Sequence, residues 1–276
     1  MFTTKQNKQI QQFAFYMLWG DKNHRVLDMA NPKDVLLAVN KAYIDMQPRT
    51  IDGLGLSLKD GKEPSKRNNA AYWNIVKVKE KRINDLKTSL ANRVVGIINC
   101  INTTSSLDVQ SLFDKKHSYL RNRFIEEFQA AINNINSAIE TAIHIGAPPD
   151  GIPVNYLKYN SIEPKQITHG KAQKIVNMTF KYLSMFDNAN QYSNVFQYCH
   201  IAIDSYIIDE VKDMIKTYKI MPSVQQNNTL KKVWSNYTDA DYENMLSLMR
   251  SIINEAGYKG GKTLFFEEFE WWAKHI

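Results

Sequence analysis

Cysteine is nearly absent from this chain. Two residues in 276, Cys100 and Cys199, cannot build a disulfide framework. Neither belongs to a CxxC pair or to a Cys/His set spaced for zinc, so we expect no disulfide, no metal and no cofactor. Long apolar runs are missing too. No stretch approaches a membrane span, and the opening residues, Met1 to Lys8, lack the apolar core of a signal peptide. The expectation is a cytoplasmic protein with no membrane partner and no evident obligate protein partner. Strand-like alternation, internal repeats and low-complexity tracts are also lacking, which leaves an all-α fold class.

What is present is ordinary globular material with a basic balance. Hydrophobic residues make up 43%, aromatic residues 11% and charged residues 23%, which excludes global disorder. Lys plus Arg number 35 against 28 acidic residues, giving a net charge of +7 and a pI near 9.1. Such a balance suits a polyanionic partner. From Lys59 to Lys87 nine basic residues, Lys66 and Arg67 among them, face four acidic ones. Tyr72 and Trp73 sit inside that run, and cations interleaved with rings are what a nucleic-acid groove uses. A solvated helix face explains any single one of these lysines equally well.

Helical periodicity recurs along the chain. Residues 7 to 19 read as an amphipathic helix, and Asn31-Pro32 as a helix start before the apolar run Asp34 to Met46. That helix stops at Pro48, leaving Tyr43, Asp45 and Arg49 near its end. Arg49 is either an exposed residue after the stop or part of a ligand entrance. Further helices are expected over 83–101, 119–145, from Asp204 toward Pro222, from Asp239 toward Gly257, and in the aromatic end around Phe265 to Trp272. The Gly/Pro-rich stretch 146–153 divides one domain, 1–276, into an N-terminal lobe of about 1–147 and a second lobe of about 148–276.

Chemistry concentrates between Thr168 and Ile208. On a helix beginning near Gly170, residues Lys171, Lys174, Asn177 and Lys181 line one polar stripe. Lysines on such a stripe commonly do no more than solvate a surface helix. Lys174 is followed by a strongly apolar segment, and partial desolvation would lower its pKa and free the amine as a nucleophile. Asp204 stands among Ile201, Ala202, Ile203 and Ile207, where a carboxylate needs a partner or a task. Capping the following helix is the plainer of its possible duties.

The order glycine, lysine, apolar helix and then an apolar-apolar-Asp turn resembles the helix-hairpin-helix superfamily of DNA glycosylases, nearest its archaeal 8-oxoguanine glycosylase branch. Gly170-Lys171-Ala172-Gln173-Lys174, Asn177-Met178, Lys181-Tyr182-Leu183, Cys199-His200 and Trp234-Ser235 also resemble the α-glutamyl/putrescinyl thymine pyrophosphorylase group, which includes antiviral glycosylases of modified bases. The resemblance is specific over about residues 168–208. It departs in lacking the second glycine of the hairpin turn and the proline before the aspartate. It implies a two-lobed helical fold with a degenerate helix-hairpin-helix and an enzyme that cleaves the N-glycosidic bond of a hypermodified, for example glucosylated, base in phage DNA. In that mechanism Asp204 stabilises charge on the sugar or orients the attacking group. Lys174 attacks the anomeric carbon or anchors phosphate or base. Asn177 and His200 would hydrogen-bond the base, Trp234 or Tyr43 would stack on it, and Lys171, Lys181, Arg49, Lys66 and Arg67 would contact DNA. The competing readings are an enzyme of hypermodified thymine biosynthesis and a non-catalytic helical DNA-binding module whose Lys/Asp pair is structural.

Overall fold

The computed structural model describes residues 18–19, 26–46, 57–58, 70–105, 108–144, 157–158, 167–255 and 263–273. The fold is all-α. Its helices are α1 (Pro32–Asp45), α2 (Ala70–Thr103), α3 (Val109–His144), α4 (His169–Leu183), α5 (Ser193–Phe196), α6 (Ser205–Tyr218), α7 (Val224–Leu230), α8 (Asp239–Glu255) and α9 (Leu264–Ala273). Two-residue strands, β1 (Ser57–Leu58) and β2 (Leu157–Lys158), pair antiparallel. Of the expected first helix only Leu18 and Trp19 are described, both helical. Residues 7–17, the 146–153 junction, Gly257 and the basic residues Arg49, Lys66 and Arg67 lie outside the described residues.

Local chemistry sets the helix ends. Asn31 caps α1 by accepting from the Lys33 amide, and Pro32 occupies the first turn, where its missing N–H costs nothing. Helix α6 ends at Lys219, which takes the left-handed conformation with φ 54°. In α2 and α3 the apolar residues recur every three or four positions, Leu86, Leu90, Val94, Ile98 and Ile101 against Leu120, Phe124, Phe128, Ile132 and Ile135. The two helices, 34 and 36 residues long, run antiparallel, since residues 82–89 face 127–134 while Arg93 reaches Tyr119 and Glu127. Both begin ten or more residues before the expected starts at 83 and 119 and end within two residues of the expected ends at 101 and 145.

The buried residues form two clusters. The first joins α1, α2, α3 and the apolar side of α4 with Val195, Phe196, Cys199 and Phe265. The second begins at Ile201 and takes in α6, α8 and Trp271 of α9. The clusters therefore meet within the segment after Cys199, and α4 packs with the N-terminal helices. Trp19 supports the end of α4, standing edge-on to Tyr182 and Phe186.

The turn Trp234–Asn236 is fastened to the start of α4. The Gly170 amide donates to the Tyr237 carbonyl at 3.1 Å, and the Thr168 hydroxyl donates to the Ser235 carbonyl. A Cβ at Gly170 would stand 1.9 Å from the Trp234 carbonyl oxygen, so only glycine allows this approach. We expect Gly170→Ala to destabilise the protein by at least about 1–3 kcal/mol, because backbone must move to relieve the clash. Urea unfolding of the variant beside the parent measures this.

Candidate functional site

Helix α4 is positioned by Thr168, whose side-chain oxygen accepts from the Lys171 amide as N-cap. Its apolar side buries Ile175, Val176, Phe180 and Leu183 completely. Two polar residues one turn apart, Gln173 and Asn177, are as deeply buried as these. The chain that follows explains why.

Residues 200–204 have no regular secondary structure and, among the described residues, no strand beside them, yet the segment is buried from His200 to Ile203. Side chains satisfy its backbone instead. Asn177 Nδ2 donates to the Ile201 carbonyl at 2.7 Å, and Glu268 accepts from the Ala202 amide at 3.1 Å. Gln173 takes both groups of Ile203, accepting from its amide at 3.1 Å and donating to its carbonyl at 2.8 Å. A buried peptide left without such partners would cost about 1–3 kcal/mol for each group.

The segment delivers Asp204. One carboxylate oxygen accepts from the Ile207 amide at 3.2 Å and caps α6, while the other takes the Lys174 ammonium at 2.9 Å. The side chains are 14% exposed for Lys174 and 24% for Asp204, so the pair sits at the protein's edge. The Lys174 ammonium also lies 5.0 Å from the centre of the Trp234 ring, within range of a cation–π contact. Lysine, aspartate and indole, contributed by residues 60 positions apart, thus form one group. A carboxylate held here can stabilise a developing cation, and an amine can attack an electrophilic carbon, once the pair opens.

Behind this group lies a buried polar network. Asn177 Oδ1 contacts His117 Nε2 at 2.6 Å, and its Nδ2 lies 3.2 Å from the Tyr242 hydroxyl. Tyr242 reaches His200 Nδ1 at 2.8 Å, and His200 Nε2 reaches Asp114 at 2.8 Å. Arg250 closes the chain with a bidentate pair to Asp114, both bonds 2.9 Å. This assigns neutral His200 with its proton on Nε2 toward Asp114, leaving Nδ1 to accept from Tyr242. Burial lowers the His200 pKa to about 4, with the neighbouring Asp114 charge working the other way. Burial likewise pushes His117 well below its usual range. Burial would raise Asp114, but the bonds from His200 and Arg250 outweigh it and hold the carboxyl far below its ordinary value. Arg121, fully buried, stacks 4.0 Å over the Tyr242 ring and pairs with Glu243 and Asp239.

The sequence-derived candidates fall into distinct places. Lys174, Asp204 and Trp234 come together. Asn177 and His200 lie one layer deeper, their polar atoms engaged in the network. Lys181 is 13% exposed and donates to buried Glu268 at 2.9 Å, and burial raises the Glu268 carboxyl above its ordinary value. Lys171 is partly exposed in the first turn of α4. Tyr43 is buried in the first cluster with the Lys87 ammonium 4.4 Å over its ring, apart from the Lys174 group. Sequence reasoning passed over Gln173, Asp114, His117, Arg121, Tyr242, Arg250 and Glu268. His117 and Arg121 carried a signal, since both occupy the apolar register of α3 between Phe113 and Phe124. Glu268 carried the one that marked Asp204, a carboxylate inside an apolar helix.

Two clefts lie elsewhere. One of about 260 Å³ opens between Gln110, Tyr198, Arg250 and Leu264, and one of about 230 Å³ lies between α2 and α3. Neither is lined by Lys174 or Asp204. Among the described residues no group of three or more His, Cys, Asp or Glu could hold a metal, and no helix is long and apolar enough to cross a membrane.

The histidines set an acid limit on stability. Both have folded pKa values depressed below the ordinary 6.5, so the unfolded chain binds more protons as pH falls. Their contribution is complete above about pH 6.5 and is lost as pH falls below it, for His200 down to about 4, at up to roughly 1.4 kcal/mol per pH unit for each histidine. Asp114 adds a further loss only below its ordinary 3.8. Urea unfolding between pH 8 and 5 should show this slope, and His200→Gln should reduce it.

Comparison with protein-family models, curated proteins and solved structures finds no match to this chain.

Proposed function

We propose that the protein is a DNA glycosylase that removes a bulky modified base, acting from the Lys174–Asp204 group. The contact at 2.9 Å between residues 30 positions apart carries this reading. It joins an amine to a carboxylate beside an aromatic ring, with both charged groups partly open to solvent. A basic chain is suited to the phosphate backbone. The target nucleotide rotates out of the duplex at a cost of a few kcal/mol, and its sugar reaches Asp204. As the glycosidic bond lengthens, the carboxylate offsets positive charge on the sugar while Trp234 offers a stacking face. Lys174, released from Asp204, gives its proton to the departing base and attacks the anomeric carbon with the free amine as the glycosidic bond breaks, or stays charged and holds the departing base. Phage DNA with glucosylated or otherwise hypermodified bases is the substrate class, and antiphage defence the setting, implied by the family resemblance.

A second reading has its own support. Both Asp204 oxygens are occupied, and the two clefts described lie elsewhere, as a structural ion pair in a helical DNA-binding module would have it.

Incubation with unmodified DNA and with glucosylated phage DNA, scored for free base and abasic sites, separates the two. Excision predicts base release from modified DNA alone, reduced on the order of 10²–10³-fold in Asp204→Asn. Bound but uncleaved DNA of every kind would support the module instead. Borohydride should trap a protein–DNA adduct in the parent and none in Lys174→Ala if the lysine is the nucleophile.

A further inference from the structure

We propose that Gln173 is the residue that positions Asp204, by holding both backbone groups of Ile203, the residue immediately before it. The inference rests on the excision reading for its catalytic consequence, though not for its geometry. Gln173 is fully buried on α4, one residue before Lys174, so one helical turn carries both the amine and the clamp that brings the carboxylate to it. Its amide oxygen accepts from the Ile203 amide at 3.1 Å and from Asn177 Nδ2 at 3.0 Å, and its Nε2 donates to the Ile203 carbonyl at 2.8 Å. With Ile203 pinned at both groups, the next residue leaves in one direction. That direction places one Asp204 oxygen on the Ile207 amide and the other on Lys174. Glu268 steadies the same segment one residue earlier, at the Ala202 amide, with its charge balanced by Lys181.

An amide is needed because Ile203 presents one donor and one acceptor to a single side chain. Methionine matches glutamine in length and offers neither. Glutamate offers both only while protonated, when its carbonyl accepts and its hydroxyl donates in the places of Oε1 and Nε2. Ionised, it turns an acceptor toward the Ile203 carbonyl and adds a buried charge. Burial raises a carboxyl placed there, so the Gln173→Glu variant converts between a faithful and a failed clamp within an accessible pH range.

The ionisable groups near this position are Lys174 and Asp204, Lys181 and Glu268, and, across Asn177, His117 and Tyr242. Parent and variant share them, so normalising the variant to the parent at each pH isolates what the Gln173→Glu carboxyl adds, its coupling to these groups included.

The test measures base release from glucosylated DNA and the ¹⁵N–¹H resonance of the Ile207 amide, which reports the Asp204 cap, between pH 5.5 and 9. For Gln173→Glu we expect kcat close to the parent's at the acid end and on the order of 100-fold lower at the alkaline end, with KM little changed. The Ile207 resonance should leave its parent position with the same midpoint. Gln173→Met should be impaired at every pH, and should it fail to fold, the Gln173→Glu titration alone decides. A Gln173→Glu protein with parent kcat and an unmoved Ile207 resonance throughout overturns the inference, as does a pH-independent loss. If no protein releases base but the Ile207 resonance of Gln173→Glu titrates as described, the clamp stands and the excision reading falls.

Discussion

Three residues of buried backbone, Ile201 to Ile203, cross the interior without a helix or a strand to satisfy them, and much of the second half of the molecule answers that need. No strand pairs with this segment among the described residues, so side chains supply the hydrogen bonds. Helix α4 therefore carries Gln173 and Asn177 on the side it buries, where an amphipathic helix would ordinarily place leucine or valine. Helix α9 sends in Glu268, which is tolerable only because Lys181 meets it. The Lys174–Asp204 contact is the outer end of this arrangement. Its geometry is set by the bonds made one to three residues earlier.

The network beyond Asn177 extends the same logic into the neighbouring helices. His117, Tyr242, His200, Asp114 and Arg250 link α3, α8 and the segment after α5 through bonds of 2.6–3.2 Å. A connected polar network of this sort specifies one packing of the helices, since any slip would leave a buried group unsatisfied. It also makes the structure acid-sensitive, because two buried histidines stay neutral only while the fold is intact. Gly170 plays the complementary part at the other end of α4. By lacking a Cβ it admits the Trp234 carbonyl, and so brings an aromatic ring to the lysine.

Much of the fold could be read from the sequence, because helices and caps are local. The caps at Asn31 and Asp204, the apolar stripes of α2 and α3 and the polar stripe on α4 all depend on residues within a few positions of one another. Lys174 and Asp204 stood out because each interrupts an apolar context, and in the fold they touch. The depth of Asn177 and His200 was not legible. A polar residue in a helix reads the same whether it faces solvent or an unpaired backbone segment 24 residues away. Tyr43 looked like an aromatic near a helix mouth, but α2 covers it with Lys87, from a helix whose pairing depends on distant contacts. The stretch 146–153, on which the division into lobes rests, lies outside the described residues, and among the described residues the apolar clusters meet between Cys199 and Ile201.

What unites these observations is a carboxylate delivered to an amine by a buried segment held at four backbone groups by side-chain hydrogen bonds, beside a ring and in a basic protein. On the proposed excision reading that is ground for electrostatic catalysis at a sugar carbon, with Lys174 and Asp204 acting as one unit. The most direct measurement is a double-mutant cycle on base release from glucosylated DNA, using Lys174→Ala, Asp204→Ala and the double variant. The account predicts that the double variant is no slower than the slower single variant, as for residues that act together. Losses that multiply in the double variant, or single variants that keep the parent's rate, would contradict it.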